Sequence, residues 1–273
     1  MTAPYHQYGE PAQGRNFLGI IAINMRLPFH GPTAGILVIG EEILSAKVEE
    51  ENARHLVREL RELGVSVRRI DVIPDEIDEI AETVQGMSSR YDHVFTSGGV
   101  GPTHDDVTMA AIAKAFGLRP ARNLELEAKI RSAMGPNLHE RDLRMADIPD
   151  GARLLYGPDG DRSHWPLVAV KNVYILPGVP EIFRYKFAMV REMFRAGPIL
   201  SRAVYTRENE AVIAATLDAV VAEFPGVAVG SYPRLGVAEY KVKITIDGRD
   251  AALVERATLR LVEGLGPSVV RTE

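Results

Sequence analysis

Cysteine is absent from all 273 residues. That excludes disulfides, a thiolate nucleophile and any zinc site built on cysteine. A chain without disulfides suits a reducing compartment, so a cytoplasmic location is the expectation. Apolar runs long enough to span a bilayer are also missing, and no membrane association is expected. Residues 17–23 form a short apolar run after Arg15. Asn24 and Arg26 interrupt it and no small-residue cleavage site follows, which argues against a signal peptide. Residues 1–32 are expected to be a disordered leader. A basic excess is lacking too: 32 Lys and Arg face 37 Asp and Glu, a formal net charge of -5. This speaks against a dedicated nucleic-acid binder.

What is present is a strict alternation of two periodicities. Residues 35–39 are a continuous apolar run bounded by Gly40, as in a strand buried on both faces. Ala53, Leu56, Val57, Leu60 and Leu63 then recur at helical spacing, and Gly64 stops them. Strand character returns over 65–72. Asp75 is placed to cap a helix carrying Ile77, Ile80, Ala81, Val84 and Met87 on one face. A third strand over 93–96 leads into a glycine turn and a short helix over 108–116. This βαβαβα order predicts right-handed crossovers, and so an α/β fold whose parallel sheet is covered by helices.

A further helix is expected over 123–134, and an irregular stretch over 138–163. Strands 166–170 and 173–176 are joined by the two-residue turn Lys171-Asn172. The helix after Pro180 buries Phe183, Phe187, Val190 and Phe194, and Gly197-Pro198 marks a boundary. From there the order is βαββαβ, a split βαβ module. The organisation expected is therefore a leader over 1–32, an α/β domain over 33–198 and a small α+β domain over 199–273.

The chemistry is expected in Ser97-Gly-Gly-Val-Gly-Pro-Thr-His-Asp-Asp-Val-Thr108. It follows a parallel strand at the edge where open α/β sheets bind ligands. Glycines there present backbone N–H groups to an anion, although the bare pattern also fits a tight turn needing positive φ. It lacks the Gly-Lys-Ser/Thr ending of a P-loop. Thr103, Asp105, Asp106 and Thr108 crowd polar atoms into six positions, with the two aspartates placed where a helix begins. A phosphate shares a site with two carboxylates only if a cation lies between them. Glu41 and Glu42 follow the first strand at the same edge and are expected to meet Asp105 and Asp106 across a crevice. Glu181 opens a helix after a stiff Leu-Pro-Gly-Val-Pro loop that suits a pocket wall. His104 receives no role, and Tyr156 and Trp165 fit either ring stacking or burial.

The motif 98–108 resembles the signature of the molybdopterin-binding (MoaB/Mog-like) domain family. The resemblance is to the branch holding the amino-terminal domains of competence/damage-inducible protein A and of eukaryotic FAD synthase. Gly40-Glu-Glu-Ile-Leu44, Asn52, Leu176-Pro-Gly-Val-Pro-Glu181 and Gly230-Ser-Tyr-Pro233 support it. It implies a three-layer αβα Mog-like fold with a mostly parallel sheet, followed by the small α+β module. For the site it implies Asp105, Asp106 and Glu42 as catalytic and metal-holding residues. It implies Ser97, Gly98, Gly99, Gly101, Thr103, Thr108 and Glu181 as phosphate- or ligand-binding residues.

For activity, this branch implies a pyrophosphatase dependent on Mg2+, Mn2+ or Co2+, cleaving ADP-ribose or FAD-type diphosphates. The alternatives are a molybdopterin transferase or carrier in cofactor biosynthesis, and a non-catalytic binding protein. The expected partner is a small nucleotide or pterin ligand, in a homo-oligomer. Departures from the family pattern are Glu41 for aspartate, Ala46 for glycine, and Glu50-Glu51-Asn52 for Asp-Thr-Asn.

Overall fold

The alternating side chains of the first strand divide between two cores, and the fold is arranged around that division. The structure is a computed structural model and describes residues 31–234, 236 and 239–273. The leader expected over 1–32 lies outside the described residues except for Gly31 and Pro32. In chain order come β1 (Thr33–Ile39), α1 (Glu41–Leu44), α2 (Asn52–Leu63), β2 (Ser66–Ile73), α3 (Ile77–Arg90) and β3 (His93–Ser97). Next are α4 (Thr108–Ala115), β4 (Pro120–Arg122), α5 (Leu124–Met134), β5 (Asp147–Pro149) and β6 (Arg153–Leu155). β7 (Leu167–Val170), β8 (Val173–Leu176) and α6 (Pro180–Val190) follow.

The larger sheet has the order β2-β1-β3-β8-β7-β6. β2, β1, β3 and β8 run parallel, whereas β7 pairs antiparallel with β8 and β6 antiparallel with β7. The expected fold class holds, with a mixed, mostly parallel sheet between helix layers. Leu37 and Ile39 of β1 enter one core with Ile80, Val84 and Met87 of α3 and with Ile112 of α4. Ala34, Ile36 and Val38 enter the other with Leu56 and Leu60 of α2 and Phe183 and Phe187 of α6. Period 2 along the strand thus feeds both faces, which is why β1 is apolar throughout.

The sequence-based reading needs correction at three places. Asp75 caps nothing: the N-cap position of α3 is Glu76, with no side-chain cap bond, and Asp75 Oδ2 accepts instead from the Glu41 N–H at 2.9 Å. Asp105 and Asp106 do not begin a helix, because α4 starts at Thr108. The stretch 138–163 is not wholly irregular. It contains β5, paired with β4, and β6, which extends the sheet edge beside β7. Three-residue strands are too short for periodicity to reveal.

The second sheet is built by β9 (Leu200–Thr206), β10 (Ala228–Pro233), β11 (Val242–Gly248) and β12 (Val269–Thr272), in the order β10-β11-β9-β12. α7 (Glu210–Glu223) and α8 (Ala251–Leu265) cover one face, enclosing Val204, Leu217, Ile244 and Leu261. This is the expected βαββαβ module. It meets the first sheet's layers through Arg61–Asp247 at 3.0 Å and through Arg249, which donates to the carbonyls of Ala196, Gly197 and Gly64.

Ala46 stands in the left-handed region at φ 55, at the position where the family pattern has glycine. Replacing Ala46 with glycine relieves the Cβ strain but adds freedom to the unfolded chain. A net gain of up to about 1 kcal/mol is expected, read by urea denaturation. Phe95 is fully buried and Leu124 is 78% exposed. In the same measurement Phe95→Ala is expected to cost about 3–5 kcal/mol, and Leu124→Ala to stay within about 0.5 kcal/mol.

Candidate functional site

Because β1, β2, β3 and β8 are parallel, their carboxyl ends share one edge, and the connections 40–51, 74–76, 98–107 and 177–179 collect there. The glycine turn is held by specific bonds. Gly98 N–H donates to Leu176 O at 3.2 Å, and Thr108 N–H to Gly99 O at 3.0 Å. Thr108 Oγ1, fully buried, donates to Gly98 O at 2.9 Å. Gly98 has φ 108, and a Cβ on it would lie 2.1 Å from Ile39 O. Only glycine fits there, since both the dihedral and the approach of the neighbouring strand exclude a side chain.

These bonds sort the expected ligand residues. Ser97 is buried; its Oγ accepts from Asn52 Nδ2 at 3.0 Å and reaches Pro177 O at 3.4 Å. Ser97, Gly98 and Thr108 therefore build the frame, with their hydrogen-bonding groups committed within the protein. The N–H groups of Gly99, Val100 and Gly101, by contrast, have no acceptor among the described residues. Thr103 serves the aspartates. Its N–H donates to Asp106 Oδ2 at 2.7 Å, and its hydroxyl lies within reach of both Asp105 and Asp106, with one proton to give. Glu181 is exposed on the first turn of α6 and does not line the adjoining cleft.

The residue that sequence reading misplaced is central here. Asp75 lies at the end of β2. One oxygen accepts from Glu41 N–H, and the other lies 3.5 Å from where a Cβ on Gly99 would be. Its carboxyl is pushed above the ordinary range, first by burial and then by repulsion from Glu42, Asp105 and Asp106; the bond from Glu41 opposes the shift. The two acidic turns thus converge on Asp75. Glu41 contributes its backbone N–H, and Glu42 its charge. Asp105 is lowered, chiefly by the Thr103 hydroxyl and also by nearby His104. Among the described residues, none of Glu42, Asp75 and Asp106 is paired with Lys, Arg or His. Its place just before a helix made Asp75 look like a cap; its position at the end of a parallel strand was the signal available.

Glu42, Asp105 and Asp106 do not form a closed cage. Among the described residues, the group of three whose ligand atoms all lie within 4.8 Å of one another is Asp159, Asp161 and His164, on another loop. Beside the glycine turn is a cleft of about 100 Å³, lined by Glu42, Ile43, Val48, Asn52, Ser97, Gly178 and neighbours. Tyr156 is half-buried, its hydroxyl bonded to Glu125 and pushed up mainly by burial, a direction that makes it a poor acid. Among the described residues no helix is long and apolar enough to cross a membrane.

Residues 35–196 match the family model described as probable molybdopterin binding domain, and residues 198–273 match that of the FAD synthase middle domain. The chain is similar to a probable FAD synthase of Caenorhabditis elegans, 36% identical over 279 residues, covering 90% of this chain and 53% of that one. It is also similar to a protein of Archaeoglobus fulgidus, 32% identical over 228 residues, covering 84% of this chain and 96% of that one. Among solved structures, a CinA protein of unknown function from Thermoplasma acidophilum superposes with a TM-score of 0.54. It is 32% identical and covers 60% of this chain and 98% of that one. The chain spans about half the length of the curated FAD synthases that it matches.

A carboxyl raised in the folded state binds more protons there than in the unfolded chain. Stability then falls as pH rises from the unfolded value of 3.8 through the folded value. Asp75 therefore opposes folding at neutral pH. Asp75→Asn keeps an acceptor for Glu41 N–H and removes the repulsion. Its melting temperature is expected to exceed that of the parent at pH 7, with the difference vanishing below pH 3.8.

Proposed function

The chain belongs to the probable molybdopterin binding domain family, and from that premise we propose that it is a cation-dependent pyrophosphatase of nucleotide diphosphates such as ADP-ribose or FAD. One observation carries this reading. The unspent N–H groups of Gly99, Val100 and Gly101 lie in the same loop as Asp105 and Asp106 and beside Asp75. A nest for an anion next to unneutralised acids is coherent only with a cation between them.

The donor set fits such an ion. Carboxylate oxygens of Glu42, Asp105 and Asp106 are hard ligands suited to Mg2+, Mn2+ or Co2+, and Asp75 is raised first by burial and then by their charge. Their open arrangement suits Mg2+, which takes one or two carboxylates and completes its shell with phosphate and water. When bound, the cation supplies charge neutralisation at the phosphoryl oxygens. The chain's own groups do the rest. The three amides fix the diphosphate, and the Asp105–Thr103–Asp106 bonds hold the loop rigid around it. Asp75 Oδ1, with no hydrogen-bond donor among the described residues, is the carboxylate oxygen available to take a proton from water. FAD enters the substrate class through the relatives named probable FAD synthase, and the middle-domain match supports the same class.

A second reading, binding or transfer of molybdopterin, is favoured by the description of the family model. It uses the same amides but cleaves no diphosphate. Release of AMP from FAD, ADP-ribose and NAD with each cation separates the two. Asp106→Asn retains an acceptor for Thr103 N–H and is expected to fold, while lowering turnover about a hundredfold or more. Absence of AMP release from all three substrates, alongside tight pterin binding, would sink the pyrophosphatase reading; unchanged turnover in Asp106→Asn would remove that residue from the site.

A further inference from the structure

Asn52, the first residue of α2, is 5% exposed and lines the cleft beside the glycine turn. Its amide nitrogen donates to Ser97 Oγ at 3.0 Å and to Gly178 O at 2.7 Å. The Gly178 carbonyl fixes the orientation of the amide, because exchanging its nitrogen and oxygen would set two oxygens against each other. Asn52 Oδ1 is left buried with no protein partner. Buried acceptors are satisfied in the great majority of cases, so one left without a partner in a residue that lines a cleft demands an explanation.

The rest of the lining says what is missing. Glu42, Glu49, Glu50 and Glu51 line the same cleft, and no Lys or Arg does. A bare phosphate would meet acceptors and negative charge. A neutral group bearing N–H or O–H would find acceptors, with Val38, Ile43, Val48 and Pro180 as apolar walls. Asn52 is bonded to Ser97, which directly precedes Gly98, so the cleft adjoins the phosphate nest.

Building on the nucleotide reading above, we propose that Asn52 is a ligand-reading residue: its Oδ1 accepts a hydrogen bond from an N–H or O–H of the nucleoside part of the ligand. The donor-bearing edge of the nucleoside enters the cleft, which Glu42 borders. The phosphates lie over Gly99–Gly101. The donor is either a ring amine or a ribose hydroxyl.

Calorimetric titration of the full chain with AMP, purine riboside 5′-monophosphate, 2′-deoxy-AMP, 3′-deoxy-AMP and inorganic phosphate tests this without turnover. AMP is expected to bind about tenfold tighter than at least one analogue lacking a single donor. The analogue that loses affinity identifies the amine or the hydroxyl. The gap is expected to close in Asn52→Ala, with folding checked by thermal melting. Equal affinities for AMP and every analogue, a gap that persists in Asn52→Ala, or no binding of AMP at millimolar concentration would each overturn the proposal. If the variant does not fold, the 15N resonance of the Asn52 side-chain amide in the parent protein decides. It is expected to move with AMP and not with inorganic phosphate, and an unmoved resonance overturns the proposal. An Asn52-dependent gap in a protein that releases no AMP from diphosphates would leave this assignment standing and remove the hydrolytic one.

Discussion

The approach of Gly98 to the carbonyl of Ile39 is the constraint on which the sheet edge depends. Two parallel strands deliver their carboxyl ends side by side, and the chain leaving β3 must turn at once under its neighbour. A side chain at 98 would lie 2.1 Å from that carbonyl. With glycine there, the turn closes against Leu176 O and is stitched to α4 by Thr108. That closure leaves the N–H groups of the next three residues without an acceptor among the described residues. The frame and the candidate binding groups are therefore parts of one local solution: the residues that fix the turn are the ones whose polar groups are used up.

Charge at this edge is arranged against stability. Asp75 is raised first by its burial and then by repulsion from Glu42, Asp105 and Asp106. Other acids have direct partners: Arg191 alone reaches Glu59, Glu62 and Glu192, and Glu192 is held down to about 2 by Arg195 and Arg191. At the sheet edge Glu42, Asp75, Asp105 and Asp106 have no basic partner among the described residues beyond a His104 near Asp105, and the proposed reading places a cation among them. The Asn52 amide follows the same pattern in uncharged form, with a buried acceptor left without a partner beside the same turn.

The two halves of the edge divide the labour in the proposed reading. Amides and carboxylates lie toward β2 and the 99–106 loop, while the acceptor-lined cleft lies toward α2 and α6. Glu42 borders both. Such a division gives a ligand with an anionic end and a donor-bearing end a single direction in which to bind.

Length of repeat decided what was legible beforehand. α2 and α3 were readable because their apolar periodicity extends over enough residues to show 3.6, and β1 because a continuous apolar run bounded by Gly40 marks a strand buried on both faces. β5 and β6, three residues each, have no such signal and exist because β4 and β7 pair with them. The glycine turn, Asp105, Asp106 and Glu42 stood out as residue types in an unusual density. Three assignments required the tertiary structure. Asp75 looks like a helix cap locally and becomes the centre of the acids because β2 lies beside β1 and brings its end to Glu41. Ser97, Gly98 and Thr108 look like ligands locally and become frame because Leu176, Ile39 and Asn52 reach them from distant parts of the chain. Asn52 becomes a buried, half-satisfied amide because Gly178, 126 residues away, supplies its acceptor. Local sequence determines which elements form and which groups are present. Which of those groups are already bonded within the protein, and which remain open to a ligand, is decided by contacts between strands that the sequence holds far apart.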